Sequence, residues 1–136
     1  MMISTKGRYA LRVMIDLAQH EDEGFQSLKS VAERQSISMK YLEMIVSILN
    51  RGGFVQSQRG KEGGYKLLKP AADYTVGSVI RLAEGSLAPV ACLDCEDSAC
   101  ERADHCLTLP MWRKLDDAIN TYLDSVTVED LISGRV

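Results

Sequence analysis

Residues 38–53, Ser38-Met39-Lys40-Tyr41-Leu42-Glu43-Met44-Ile45-Val46-Ser47-Ile48-Leu49-Asn50-Arg51-Gly52-Gly53, decide the fold. Leu42, Ile45, Val46 and Leu49 recur at the i, i+3, i+4, i+7 spacing of one helical face, which predicts a helix with that face turned inward. Ser38 is a good N-cap, because its hydroxyl can accept from the free backbone N–H groups of the first turn. Gly52-Gly53 stops the helix, since glycine accepts the left-handed conformation common after a helix end. Met39, Lys40, Glu43, Met44, Ser47 and Arg51 are left on the other faces. Immediately downstream, Phe54–Gln58 and Tyr65–Leu68 read as two short strands joined by Arg59-Gly60-Lys61-Glu62-Gly63-Gly64. Three glycines in that six-residue link make a hairpin with a loop longer than the tightest turns, and Pro70 ends the second strand.

Upstream, Ala10, Leu11, Met14, Leu17 and Ala18 form one stripe of a helix over 6–19, capped by Ser4 or Thr5 and followed by the polar loop Glu21–Gly24. His20 reads as a solvated helix end. Ser27 caps a short helix carrying Leu28, Val31 and Ala32, and Gln35-Ser36-Ile37 makes a brief turn. Helix, helix, turn, helix and glycine-tipped hairpin is the order of a winged helix–turn–helix. Further on, Thr75 caps a helix with Val76, Val79, Ile80 and Ala83 on one face and Gly85 at its end. A longer helix over 109–123 carries the stripe Trp112, Leu115, Ile119, Tyr122 and Leu123. Thr127 and Asp130 resemble a capping box for a last short helix. The expected fold class is mainly α with a small β-hairpin wing. Residues 1–85 form the winged helix–turn–helix DNA-binding domain, 86–107 a cysteine-rich sensor loop, and 108–136 a dimerisation helix and C-terminal tail.

The chain has 136 residues, 46% of them hydrophobic, enough for a globular core. Its net charge of −3 looks wrong for a nucleic-acid binder. The distribution changes that reading: residues 1–80 carry a net +3 and residues 81–136 a net −6. A basic first half joined to an acidic second half suggests two jobs. No run of about 18 apolar residues is present, and the N-terminus lacks the apolar core of a signal peptide, so no membrane association and a cytoplasmic location are expected. No Ser/His/Asp arrangement or phosphate loop appears, and no enzyme is expected. Cys92-x-x-Cys95 could be a redox dithiol, but the α/β setting of such motifs is missing.

The physical logic of the first half is direct. A helix fits the major groove and its outward side chains meet base edges, while the preceding helix braces it. A basic hairpin tip can reach the adjoining minor groove, where negative potential favours Arg. The candidate DNA-binding residues are therefore Ser38, Met39, Lys40, Tyr41, Glu43, Ser47 and Arg51 on the recognition helix, Lys29 on the bracing helix, and Arg59, Gly60 and Lys61 at the wing tip. Glu43 repels phosphate but can accept from cytosine N4, so it is either a specificity element or a surface charge. One winged helix reads few base pairs, and a twofold homodimer doubles them, with Trp112 and Tyr122 suited to its interface.

All four cysteines lie in Cys92-x2-Cys95-x4-Cys100-x5-Cys106. In a reducing cytoplasm such clustering reads as metal binding or redox chemistry before structural disulfides. Three readings stand: an iron–sulfur cluster ([2Fe–2S] or [4Fe–4S]), zinc on four thiolates as the minor metal alternative, and a metal-free thiol switch. Cys92-x-x-Cys95 has the spacing of one zinc knuckle, whereas Cys100-x5-Cys106 does not give the second.

Ile3-Ser4-Thr5-Lys6-Gly7-Arg8-Tyr9-Ala10-Leu11, Tyr41-Leu42-Glu43 and Arg59-Gly60-x-x-Gly63-Gly64-Tyr65 together resemble the Rrf2 family of bacterial winged-helix regulators, with its IscR-, NsrR-, RirA- and CymR-like branches. The resemblance covers essentially the whole chain. It implies a homodimer on a partly palindromic double-stranded operator, with Tyr41, Glu43 and Arg59 at the DNA. It implies a cluster on Cys92, Cys100 and Cys106, whose spacing is similar to that of NsrR- and RirA-like members. Two features depart from the family. The His that follows the last Cys by three positions in IscR-like members is Leu109 here. The Asp some NsrR-like members use in the first helix corresponds to Arg8. Cys95 is then the expected fourth ligand, with His105 a poorer one. A CymR-like, metal-free member would answer to thiol oxidation or a protein partner.

Overall fold

In the computed structural model, residues 3–94 and 101–136 are described, so Cys95 and Cys100 lie outside the described residues. The elements run α1 (Thr5–Gln19), α2 (Leu28–Gln35), α3 (Met39–Arg51), β1 (Val55–Gln58), β2 (Gly64–Leu67), α4 (Val76–Glu84), α5 (Leu109–Ser125) and α6 (Val128–Ser133), with short 3₁₀ turns at Glu21–Glu23, Ala71–Asp73 and Ala91–Leu93. The caps follow the sequence closely. Ser4, Ser27, Ser38 and Thr75 each accept a backbone N–H of the first turn. Thr127 and Asp130 close a reciprocal capping box, with Asp in the place Glu or Gln usually takes. No helix among the described residues is long and apolar enough to cross a membrane.

The main core gathers around α1. Ala10, Val13, Met14 and Leu17 pack with Val31 of α2, with Leu42, Ile45, Val46 and Leu49 of α3, and with Val55, Leu67 and Val79. Val128 of α6 belongs to the same cluster and is fully buried, so the chain's last helix returns to the first. A smaller cluster, Val76, Ile80, Leu87 and Val126, joins α4 to the end of α5. The backbone reinforces that junction, since Val76 N–H donates to Val126 O at 2.8 Å and Val128 N–H to Tyr74 O at 2.9 Å.

The wing is a two-stranded antiparallel hairpin in which Val55 faces Leu67 and Gln58 faces Gly64. Its second strand is seated on the α1–α2 connection: Gln26 and Tyr65 exchange backbone hydrogen bonds, each 2.8 Å. At its base, the Tyr74 hydroxyl donates to Phe54 O at 2.9 Å and accepts from Lys69 N–H at 3.1 Å. Gly64 is required here, because a Cβ on it would lie 2.1 Å from Gln26 O.

Among the described residues one charged side chain is inside. Asp16 is 1% exposed and accepts from Arg34 Nε at 2.9 Å, Arg34 Nη2 at 2.7 Å and Gln35 Nε2 at 3.0 Å. A fork–fork pair of this kind fixes orientation as well as charge, and it sets α2 against α1. His20 is not a solvated end. It is about one-quarter exposed, with Nδ1 2.8 Å from Asp16 O, and it closes the helix it follows.

Two outcomes are expected. Burial pushes the Asp16 carboxyl up, but the Arg34 and Gln35 hydrogen bonds and the Arg34 charge outweigh it and hold the group below the ordinary carboxylate range. A depressed folded pKa contributes stability above the unfolded value, and that contribution is lost as pH falls through the folded value. Asp16→Ala should lower the unfolding free energy by about 3 kcal/mol at neutral pH, the lower end of the range for broken buried pairs because Arg34 can still reach water. In urea titrations the gap between parent and variant should narrow below about pH 5. Gly64→Ala should cost roughly 1–3 kcal/mol and speed amide exchange at Tyr65, because the Gln26–Tyr65 bridge must open to admit the methyl group.

Candidate nucleic-acid interface and cysteine segment

Helix α3 separates its faces cleanly. Leu42, Ile45, Val46 and Leu49 are at most 2% exposed. On the opposite side Lys40, Met44, Ser47 and Arg51, spaced i, i+4, i+7, i+11, form one exposed stripe. Met39 and Glu43 are exposed on its flank. Ser38 accepts from Tyr41 N–H at 3.2 Å, which leaves its own O–H free to donate outward. Tyr41 is half-buried, edge-on to Tyr9 with centroids 5.5 Å apart, and Arg12 lies over the Tyr9 ring at 4.9 Å. Ser38, Lys40, Tyr41 and Met44 line a single open groove at the start of the helix.

The other candidates are spread over two further elements. Lys29 is exposed on α2. Arg59, Gly60 and Lys61 are exposed at the wing tip, where Gly60 takes φ +111° and accepts from Gly63 N–H at 3.1 Å. Lys61 lines a groove with Ser27 and Ser30, so the wing tip and the start of α2 border one surface. Glu23 and Glu62 border the same groove. Arg51 instead lines a shallow apolar groove with Ile48, Gly52 and Leu82.

Of the cysteines, Cys92 and Cys106 are described, and both are free, half-buried thiols. Cys106 stands two residues before the α5 cap residue Thr108, with Sγ 3.3 Å from Thr108 Oγ1. The Thr108 hydroxyl, the backbone N–H groups of Thr108 and Leu109, and the nearby Arg102 charge hold its thiol below the ordinary cysteine range. That favours the thiolate, the form that binds metals and attacks disulfides. Leu109 is buried and offers no donor atom, Arg8 is exposed and bonded to Thr5, and His105 is exposed. Among the described residues no three His, Cys, Asp or Glu side chains converge on a metal-sized site.

One residue linking the two regions had no signature in the sequence. Glu84, the last residue of α4, reaches back to α1. Its Oε1 accepts from Ser4 N–H at 2.8 Å, Ser4 Oγ at 2.6 Å and Gly7 N–H at 2.9 Å. Burial pushes this carboxyl up, but those three donors outweigh it and keep it below the ordinary range. A Cβ at Gly7 would sit 2.6 Å from that oxygen, so a larger residue there would push the Glu84 carboxylate off the α1 N-terminus. The cysteine segment follows α4 after the single C-cap residue Gly85. Beyond it, α5 is tied back to α4, because Arg81 donates to Asn120 at 2.9 Å and pairs with Asp124. The outer stripe of α5 is uncovered, with Met111 50%, Leu115 42% and Tyr122 60% exposed.

Residues 3–134 match the Rrf2 family, described as an iron-dependent transcriptional regulator. The HTH-type transcriptional regulator IscR of Pectobacterium carotovorum is 40% identical over 99% of this chain and 81% of its own length. The HTH-type transcriptional regulator CymR of Bacillus subtilis is 44% identical over 98% of this chain and 91% of its own. The fold agrees with solved structures at the same level of identity. The structure of B. subtilis CymR, the global cysteine regulator, superposes with a TM-score of 0.79 over 98% of this chain and 97% of that one. T. potens IscR, 40% identical, gives 0.80 over 100% of this chain and 89% of that one. A mostly helical chain with a two-stranded wing, matched over nearly its full length by such relatives, belongs to the Rrf2 family: it is a DNA-binding transcription regulator, not an enzyme.

Proposed function

We propose that this regulator binds a partly palindromic operator as a cytoplasmic homodimer and that an iron–sulfur cluster on its cysteine segment controls the binding. The observation that carries the DNA contact is the exposed Lys40–Met44–Ser47–Arg51 stripe set opposite a sealed apolar face. In this reading α3 enters the major groove. Ser38, Lys40, Tyr41, Glu43, Ser47 and Arg51 face base edges and phosphates, and Met39 and Lys29 lie at the margin. Arg59, Gly60 and Lys61 reach the adjacent minor groove. The uncovered Met111, Leu115 and Tyr122 stripe of α5 supports a second copy as its cover, since an exposed apolar stripe on a regulator suits an isologous contact. The division into DNA-binding residues 1–85, sensor loop 86–107 and dimer helix with tail 108–136 follows this assignment.

The donor chemistry of the cysteine segment fits a cluster. Cys92 and Cys106 are unpaired and within reach of solvent, and Cys106 is biased toward thiolate. Cys100 and Cys95 would complete the set. A bound cluster supplies an iron centre whose integrity answers to iron supply, oxidants or nitric oxide. The chain provides the route outward: the segment begins at Ser86, two residues after Glu84, Glu84 holds the first turn of α1, and α1 packs on α3 through Met14 and Leu17. Displacing the end of α4 would therefore move α1 and, with it, the angle of α3. Coupling of this kind needs two states of one element, and the Glu84 contact is the element proposed.

Arg59→Ala and Lys61→Ala should each weaken operator binding and flatten the slope of log K against log salt by about 1, read by fluorescence anisotropy across a salt series. Protein purified without oxygen should carry iron and visible absorption, and Cys92→Ala/Cys100→Ala/Cys106→Ala should lose both. A colourless, iron-free parent whose operator binding still responds to thiol oxidation or to a protein partner would sink the cluster reading in favour of a metal-free regulator, and stoichiometric zinc would sink it in favour of a zinc site.

A further inference from the structure

The outward stripe of α3 contains one residue that the DNA-binding assignment leaves unused. Lys40 and Arg51 can meet phosphates or guanine, and Ser47 can meet phosphate or base. Met44 lies between them on the same stripe, is 39% exposed, and has neither charge nor hydrogen-bonding strength. The apolar core takes the opposite face, so Met44 is not a core residue that happens to show. It shares its groove with Ser38, the Lys40 side chain and Tyr41. The Tyr41 ring is held edge-on by Tyr9, which itself lies under Arg12, so one wall of the groove is fixed. Methionine supplies the opposite wall with a soft, polarisable thioether that adapts to what it touches.

The flanking cations say what the groove can receive. A second copy of α3 would bring Lys40 and Arg51 against like charges, whereas a duplex brings phosphates on both sides. Among base edges in the major groove, the thymine C5-methyl is the apolar group. We propose that Met44 is a specificity residue of this regulator, closing with Tyr41 on a thymine methyl in each operator half-site. The proposal rests on the placement of α3 in the major groove. It makes Met44 select thymine against cytosine by contact rather than by hydrogen bonding, at a position within one helical turn of the bases met by Lys40 and Ser47.

The experiment uses the full chain and a duplex selected by it from a random-sequence pool. Each thymidine of the half-sites is replaced in turn by deoxyuridine, which removes the methyl and keeps the O4 acceptor. One replacement should weaken binding roughly fourfold per half-site, the worth of one buried methyl group. In Met44→Ala the thymine–uracil difference at that position should vanish, and in Met44→Leu it should persist. Equal affinity for thymine and uracil at every position overturns the proposal, as does a difference that survives in Met44→Ala. Lys40→Ala/Arg51→Ala tests the foundation separately: unchanged affinity and salt dependence in that variant would show that α3 is not at the DNA and would remove the reading on which Met44 depends.

Discussion

The helix–turn–helix of this chain depends on a buried carboxylate. Apolar contacts alone would let α2 slide along α1, because side-chain packing between helices tolerates a range of crossing angles. Asp16 removes that freedom by accepting two bonds from Arg34 and a third from Gln35. Arg12 donates to the Gln35 side chain from the same helix as Asp16, so the end of α2 is gripped from two turns of α1. The turn Ser36–Ile37 then leaves α2 at a fixed point, with Ser36 in the left-handed conformation, and α3 must begin at Ser38. The direction of the exposed α3 stripe is thus set by an ion pair between α1 and α2.

Polar contacts, both long-range and local, join the second half of the chain to the first and order it. Glu84 caps α1, Arg81 grips α5, and Thr127 with Asp130 starts the helix that buries Val128. Each uses a side chain to satisfy a helix end or to fix a crossing. The apolar contacts give the domain its stability, and these polar ones fix how its ends are aimed.

Most of the fold could be read from residue spacing. The inward set of α3 is as expected, and so are the Ser and Thr caps, because both depend on neighbours a few residues away. The wing strands are shifted by about one residue: beyond the ladder Leu68 N–H still donates to Phe54 O at 3.3 Å, but that carbonyl is shared with the Tyr74 hydroxyl at the hairpin base. Three features lay beyond local reading. Asp16 looks like a surface residue of an amphipathic helix until Arg34 is placed beside it. Glu84 contacts residues some 80 positions away. The return of α6 to the main core gives no periodic signal, because a single valine carries it. Met44 was legible as an outward residue but not as the centre of the stripe, which the exposure of its neighbours reveals.

The burial of Val128 against α1 bears on when the protein first becomes competent during synthesis. The core that orients α3 includes a side chain from the last helix, so a nascent chain ending before α6 holds an incomplete core and an open face on α1. Closing that contact also closes the long loop containing the cysteines and α5, at an entropic cost that grows only slowly with its length. Val128 follows α5 in sequence, so the core around α1 closes only once α5 has been made.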